Sequence, residues 1–224
     1  MTNKKNASCA LQEAAAGWGL SLSQEQMAQI DRYINELLTA NQKTNLTADT
    51  DPDVVLLRHM ADGLAATGFL IKEVPKPAPR ILDLGAGGGY IGMAIKIAWP
   101  QAQVMLMESL ERKFRFLNAM AVRSGLPGLT VALRRAGKEG GRGPEKDFDV
   151  VVARALAPLP EALDLALPLA NPEGLVLIFQ SAAPDPEEHG LRRVLARHAA
   201  RLLKSIPYRL PREDRDRHLA LFGS

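Results

Sequence analysis

The run Ile81-Leu82-Asp83-Leu84-Gly85-Ala86-Gly87-Gly88-Gly89-Tyr90-Ile91-Gly92 can hold a ligand through its backbone. Apolar residues up to Leu84 make a buried strand, the glycines a tight turn, and a helix opens after them. Without side chains the turn lets a ligand approach closely, and the unpaired amides of the helix start offer donors. Gly87, Gly89 and Gly92 match the spacing of a dinucleotide loop, but that register begins two residues too late, because the strand stops at Leu84. In the register that fits, Gly85 makes the turn and Tyr90 stands in the place of the third glycine. Asp83, two residues before Gly85, can anchor the loop and meet a cationic ligand group, directly or through water. Glu108, about 20 residues further on at a strand end, can accept hydrogen bonds from both hydroxyls of a ribose. The alternative for Glu108 is a helix N-terminal charge. Arg154 follows the strand Phe148 to Val152, at the edge where open α/β sheets bind ligands. It is either a ligand contact or half of a structural ion pair.

An acidic residue at the place of Asp83 is the methyltransferase form of such a loop, and its cofactor is S-adenosylmethionine. Amino-directed methyltransferases usually carry Asn-Pro-Pro-aromatic after the fourth strand, where this chain has Ala153-Arg154-Ala155. Asn171-Pro172-Glu173-Gly174 lies one element later, in an expected turn. Carbon-directed RNA methyltransferases need a cysteine in the domain, and the single cysteine, Cys9, is far from it. Guanine N7 has an exposed lone pair and needs no general base. Alignment with the sulfonium methyl is most of its catalytic requirement.

The surrounding elements are readable from punctuation and periodicity. Residues 1–70 read as helices. Ser23 to Gln26 is a capping box, Asn41 to Thr47 ends the helix after it, and Asp51 caps the next one with Pro52 at its first position. Three prolines between Pro75 and Pro79 make a linker. A helical amino-terminal arm, 1–75, and a methyltransferase domain, 76–224, are therefore expected. The domain alternates strands (Ile81–Leu84, Gln103–Met107, Thr130–Leu133, Phe148–Val152, Leu175–Phe179) with helices (Tyr90–Ala98, Ser109–Ser124, about Leu159–Leu169). That order predicts a doubly wound, mostly parallel α/β sheet. A last helix is expected over about 187–203, then two short strands near Ile206–Arg209 and His218–Phe222. Gly137 to Gly143 reads as a loop.

Composition sets the bounds. The 224 residues are 46% hydrophobic with a net charge of +3, and a pI near 9.1 permits a polyanionic partner without demanding one. One cysteine excludes an intramolecular disulfide and a cysteine-rich zinc site, so neither a metal nor a disulfide-linked partner is expected. No apolar run approaches the roughly 20 residues of a membrane span, and the start of the chain lacks a secretory h-region. A cytoplasmic monomer is expected.

Further motifs carry a resemblance. Asn45-Leu46-Thr47, Asp51-Pro52 and Arg58-His59-Met60-Ala61-Asp62 precede the glycine loop. Glu108-Ser109-Leu110 with Lys113, Arg115-Phe116-Leu117, Ala153-Arg154-Ala155 and Arg217-His218-Leu219 follow it. From about Tyr33 to Leu221 the chain resembles the small-subunit ribosomal RNA guanine-N7 methyltransferases, also called glucose-inhibited division protein B. The resemblance implies an S-adenosylmethionine pocket at Gly85, Tyr90, Ala136, Gly137 and Arg154, beside the readings of Asp83, Gly87 and Glu108 above. It implies Arg58, His59, Arg112, Arg115 and His218 as RNA-binding candidates. Read without it, Arg58 and His59 are a surface pair, and Arg112 and Arg115 are a solvated helix face. The chain departs from the family at Gly88 (proline expected), Gly137 (acidic), Gly63 (serine) and Phe179-Gln180 (Lys-Gly). Two other functions stay open: a methyltransferase of this fold with another substrate, and a weakened RNA-binding assembly protein. A nicotinamide oxidoreductase is a distant third.

Overall fold

The computed structural model describes residues 2–137 and 147–224. The glycine-rich stretch expected to be a loop therefore lies, from residue 138 on, outside the described residues. Seven strands form one sheet: β1 (Arg80–Leu84), β2 (Gln103–Glu108), β3 (Leu129–Leu133), β4 (Phe148–Ala153), β5 (Ala170–Gln180), β6 (Arg201–Arg209) and β7 (Asp216–Gly223). Their order is β3-β2-β1-β4-β5-β7-β6. β1 to β5 run parallel, and β7 pairs antiparallel with both β5 and β6. The order reverses at β1, so the crevice outside the carboxyl ends of β1, β2 and β4 is where such a sheet binds ligands.

The helices are α1 (Thr2–Gly17), α2 (Gln24–Thr44), α3 (Pro52–Val54), α4 (Ala61–Glu73), α5 (Tyr90–Ala98), α6 (Glu111–Ser124), α7 (Leu159–Ala166) and α8 (His189–Arg197). The Ser23 capping box forms as its sequence demands: Ser23 Oγ accepts from Gln26 N–H, and Gln26 Oε1 accepts from Ser23 N–H. α3, a π-helical stretch (Val55–Met60) and α4 make one continuous helix, Pro52–Glu73. It is long and apolar enough to cross a bilayer, which the sequence, interrupted by Arg58, His59 and Asp62, did not suggest. Most of its apolar stretch is buried inside the protein, so it is a core helix. Ala7, Leu11, Ile30, Leu37, Met60 and Leu64 from the amino-terminal helices share one buried cluster with Ile81, Val104 and Val150 of the sheet.

Four boundaries differ from expectation. α8 ends at Arg197, with Ala199 at φ 50 breaking it. Residues 201–203 belong to β6 because β7 offers a full-length antiparallel partner. Arg201 therefore lies in a strand and not in the helix expected over about 187–203. Asn171 to Gly174 lies inside β5 rather than in a turn before it, at an irregularity in the β4–β5 register. α6 starts two residues late because the Ser109 and Leu110 amides donate to Glu108.

Gly63 lies at a close approach of α4 and α5. A Cβ there would stand 2.6 Å from Ala94 Cβ and 3.1 Å from the Ile91 carbonyl oxygen, neither of which can move alone. Serine would gain about 0.5 kcal/mol of helix propensity against about 1–3 kcal/mol of overpacking. Gly63→Ser should therefore lower the midpoint of thermal unfolding, and an unchanged or raised midpoint would contradict this packing.

Candidate active site

The glycine turn is held from two sides. Gly85, Gly87 and Gly89 have φ of 74, 59 and 90, a conformation that disfavours any Cβ. The Gly85 and Ala86 amides both donate to the Met107 carbonyl, at 2.9 Å each, tying the turn to β2. Glu108 is 6% exposed. Its Oε2 accepts from Gly87 N–H at 2.9 Å, and its Oε1 from Ser109 and Leu110 at 2.7 and 2.8 Å. The residue is thus both a brace for the turn and a cap for α6. Asp83 is buried, and its Oδ2 accepts from Gly92 N–H at 2.8 Å, fixing the first turn of α5. Burial raises its carboxyl to about 6, against the lowering effects of the Gly92 hydrogen bond and of Arg154.

Beside the turn lies a cleft of about 410 Å³, lined by Gly85, Met107, Ser109, Ala136, Leu156 and Glu161 among others. Gly85 lines it at φ 74, where any side chain is strained, and a Cβ there would also press on Leu156 Cδ1 at 2.6 Å. Gly137 follows at φ 74, and a side chain there would also press on Leu165, another lining residue. The backbone at this position is therefore ill-suited to the acidic residue of the family pattern.

On the other flank of the turn the arm enters the site. Tyr33 of α2 donates its hydroxyl to the Gly88 carbonyl at 2.6 Å. His59 stacks on Tyr90 with ring centroids 4.5 Å apart, and the Arg154 guanidinium lies 5.5 Å from the Tyr90 centroid. A Cβ on Gly88 would meet the Tyr90 ring at 2.9 Å, so Tyr90 fills the space that a side chain at residue 88 would need. His59 Nε2 is 2.6 Å from Asp49 Oδ2. Burial, followed by Arg154, lowers the imidazole pKa despite that partner. The neutral ring donates from Nε2, and Nδ1 stays buried with no hydrogen-bond partner among the described residues.

The centre of this flank is Asp62, 1% exposed. Its Oδ2 accepts from Arg154 Nη1 at 2.7 Å and from Arg217 Nη1 at 3.2 Å, and its Oδ1 from the Tyr208 hydroxyl at 2.6 Å. One carboxylate on α4 thereby joins β6, β7 and the residue that follows β4. Burial, followed by the Asp62 charge, raises the Tyr208 pKa far above its ordinary value, which keeps it a donor.

Residues 26–215 match the family described as rRNA small subunit methyltransferase G. The chain belongs to that family. It is 32% identical to the Ribosomal RNA small subunit methyltransferase G of Halalkalibacterium halodurans, over 91% of this chain and 84% of that one. It is 35% identical to the Streptococcus thermophilus protein of the same description, over 88% and 82%. Among solved structures, magnesium protoporphyrin IX methyltransferase from Synechocystis with bound SAM superposes with a TM-score of 0.58 at 14% identity, covering 90% of this chain and 98% of that one. A B. subtilis tRNA methyltransferase gives 0.53 at 12% identity, covering 75% and 66%. These two structures establish the fold, a Rossmann-like methyltransferase sheet with added amino-terminal helices.

For this member of the family, the residues expected at the cofactor divide into three groups. Gly85 and Ala136 line the cleft beside the turn, while Asp83, Gly87 and Glu108 brace the turn. Tyr90 and Arg154 lie on the arm side. The RNA-binding candidates have different surroundings. Arg112 and Arg115 share a cleft of about 470 Å³ with Thr44 and Phe116. Arg112 donates to the Asn45 carbonyl and Arg115 pairs with Glu111. Arg58 is exposed, whereas His59 turns inward, so they are not a surface pair. His218 sits on β7 opposite Gln180, its Nδ1 3.1 Å from Ser205 Oγ. Sequence reasoning missed Tyr33, Tyr208 and Arg217 as site residues and took Asp62 only as a motif position. The spacing of His59 and Asp62, three apart in the helix, was the available signal.

Glu108→Ala removes one charge-assisted amide bond from the turn, at Gly87, and two from the start of α6. Losing a bond of this kind costs about 1.5–3 kcal/mol, or roughly a tenfold to hundredfold loss of cofactor affinity. Calorimetry with S-adenosylhomocysteine checks this, and an unchanged dissociation constant would show that the turn holds its shape without Glu108.

Proposed function

We propose that the chain transfers a methyl group from S-adenosylmethionine to N7 of a guanine in small-subunit ribosomal RNA. In this reading the arm, residues 1–75, completes the acceptor side of the methyltransferase domain, residues 76–224. Methylation of small-subunit rRNA by an S-adenosylmethionine-dependent enzyme follows from the family. The 410 Å³ cleft against the glycine turn suits the cofactor in size and in its lack of obstructing side chains. When bound there, the cofactor supplies an electrophilic methyl group on a sulfonium.

The choice of N7 is carried by the state of the carboxylates. Asp62, Asp83 and Glu108 are each engaged by amides, guanidiniums or a phenol, and the basic Nδ1 of His59 is buried out of an acceptor's reach. None of them is poised to remove a proton from an acceptor, and N7 has no proton to lose. The work left to these residues is orientation: the turn fixes the cofactor side, and Asp62 fixes Arg154. Arg58, Arg112 and Arg115 provide cations for the RNA backbone. The reading places the protein in the cytoplasm as a monomer with ribosomal RNA as its partner.

Methyl transfer from labelled S-adenosylmethionine to small-subunit rRNA, followed by nucleoside mass spectrometry, tests the proposal. The expected product is 7-methylguanosine. Label in another nucleoside would overturn the N7 assignment, and cofactor binding with no transfer would overturn the activity.

A further inference from the structure

The chain turns sharply after β4. Ala155 has φ 52, in the left-handed region that costs a residue with a Cβ about 1–2 kcal/mol. The turn sends its two neighbours into different clefts. Leu156 lines the 410 Å³ cleft beside Gly85. Arg154 lines a second cleft of about 200 Å³ together with Asp62, Phe179, Gln180, Ser181 and Tyr208. Strain of this kind persists where surrounding structure holds it, commonly at functional sites. Here it forms the partition between two cavities at the carboxyl edge of one sheet.

The chemistry of the second cleft favours a neutral, hydrogen-bonding ring over a phosphate. Its charges are already matched: Arg217 donates to Asp62 and Glu213, Asp216 holds Arg209, and Arg215 lies 3.6 Å from Glu213. Arg154 gives only Nη1 to Asp62, so its Nε and Nη2 groups carry no protein acceptor among the described residues. Gln180 Nε2 donates to the Phe179 carbonyl at 2.9 Å, which leaves Oε1 as an open acceptor. The cleft thus offers guanidinium donors and an amide acceptor, with Phe179 for an apolar wall. Guanine presents the complement: O6 accepts, while N1 and the exocyclic amine donate. Adenine offers a donor where O6 would be, which would leave the Arg154 donors unpaired.

We propose that this second cleft seats the target guanine, taken out of its stack, with Arg154 directed to O6 and Gln180 Oε1 to the Watson–Crick donors. Asp62 is the positioning residue that holds Arg154 at the partition. This rests on the methyltransferase reading above.

The test uses the full chain with Ser181→Trp, an exposed position whose enlarged side chain fills the cleft. Affinity for S-adenosylhomocysteine should be unchanged, while kcat/KM for small-subunit rRNA falls about a hundredfold, as for a reacting atom held about 1 Å out of place. Gln180→Ala, which leaves the cleft open, should lower kcat/KM about tenfold, one hydrogen bond's worth. Methylation by Ser181→Trp at the wild-type rate would overturn the proposal. So would a salt dependence of RNA binding flattened by about 0.7 with turnover unchanged, the mark of a lost backbone phosphate. A wild type that binds S-adenosylhomocysteine but methylates no rRNA would overturn the function itself, and the seat with it.

Discussion

Asp62→Ala is expected to destabilise the protein by about 3–5 kcal/mol, the cost of breaking a buried charge cluster by removing one partner. The carboxylate satisfies Arg154, Arg217 and Tyr208 at once. Arg217 keeps Glu213 after the change, but Arg154 and the Tyr208 hydroxyl lose their only side-chain hydrogen-bond partners among the described residues. At roughly 2–4 °C per kcal/mol for a chain of this size, the unfolding midpoint should fall by about 6–20 °C. Tyr208→Phe removes one charge-assisted bond and should cost less, about 1.5–3 kcal/mol. Equal losses in the two variants, or a shift of under about 3 °C for Asp62→Ala, would show that the arm does not depend on this carboxylate. Where the Asp62 variant still folds, methyl transfer should fall further than cofactor affinity, because Arg154 is no longer aimed.

The second large effect is a pH dependence centred on Asp83. Burial raises its pKa to about 6 in the folded protein, against about 3.9 for an unfolded aspartate. Between those values the folded state holds a proton that the unfolded state has released. Stability from this group is therefore present below about pH 4 and is lost as pH rises through 6, a cost of about 3 kcal/mol at neutral pH. In Asp83→Asn the side chain cannot titrate, yet its amide oxygen can still accept from Gly92. In urea unfolding across pH 4 to 7, the stability of Asp83→Asn minus that of wild type should increase by about 3 kcal/mol. A flat difference would mean that Asp83 is not charged at the expense of folding. The cost is explicable if the charge serves the cofactor, whose ammonium group is the natural counter-ion for the carboxylate. Affinity for S-adenosylhomocysteine at pH 7 should accordingly fall in the same variant.

Much of this protein is written locally. The strand Ile81–Leu84, the glycine turn and the helix from Tyr90 follow from hydrophobic run, turn residues and helix period, all within twelve residues. The Ser23 capping box and the Asp51-Pro52 helix start are equally local, and both form as read. Alternation of strands and helices over 81–179 leaves little choice but a parallel sheet. The motifs around residues 45, 58, 85, 108, 154 and 217 sufficed to indicate the family.

Other features depend on partners distant in sequence. Arg201 to Leu203 continue a helical pattern, but β7 supplies a strand for them to pair with, and the ladder wins. Arg58 and His59 are adjacent charges on paper. The π-helical stretch that carries them leaves Arg58 in solvent and stacks His59 on Tyr90, more than thirty residues away in sequence. Glu108 was legible as a ligand group at a strand end, but only the folded turn shows its carboxylate filled by three amides. Asp62 shows the difference most plainly. Its type and position mark a motif, but its three partners come from the end of β4, from β6 and from β7, across sequence separations of 92, 146 and 155 residues. Local periodicity cannot encode such a meeting, because it exists only once the arm has packed against the sheet and removed the carboxylate from water.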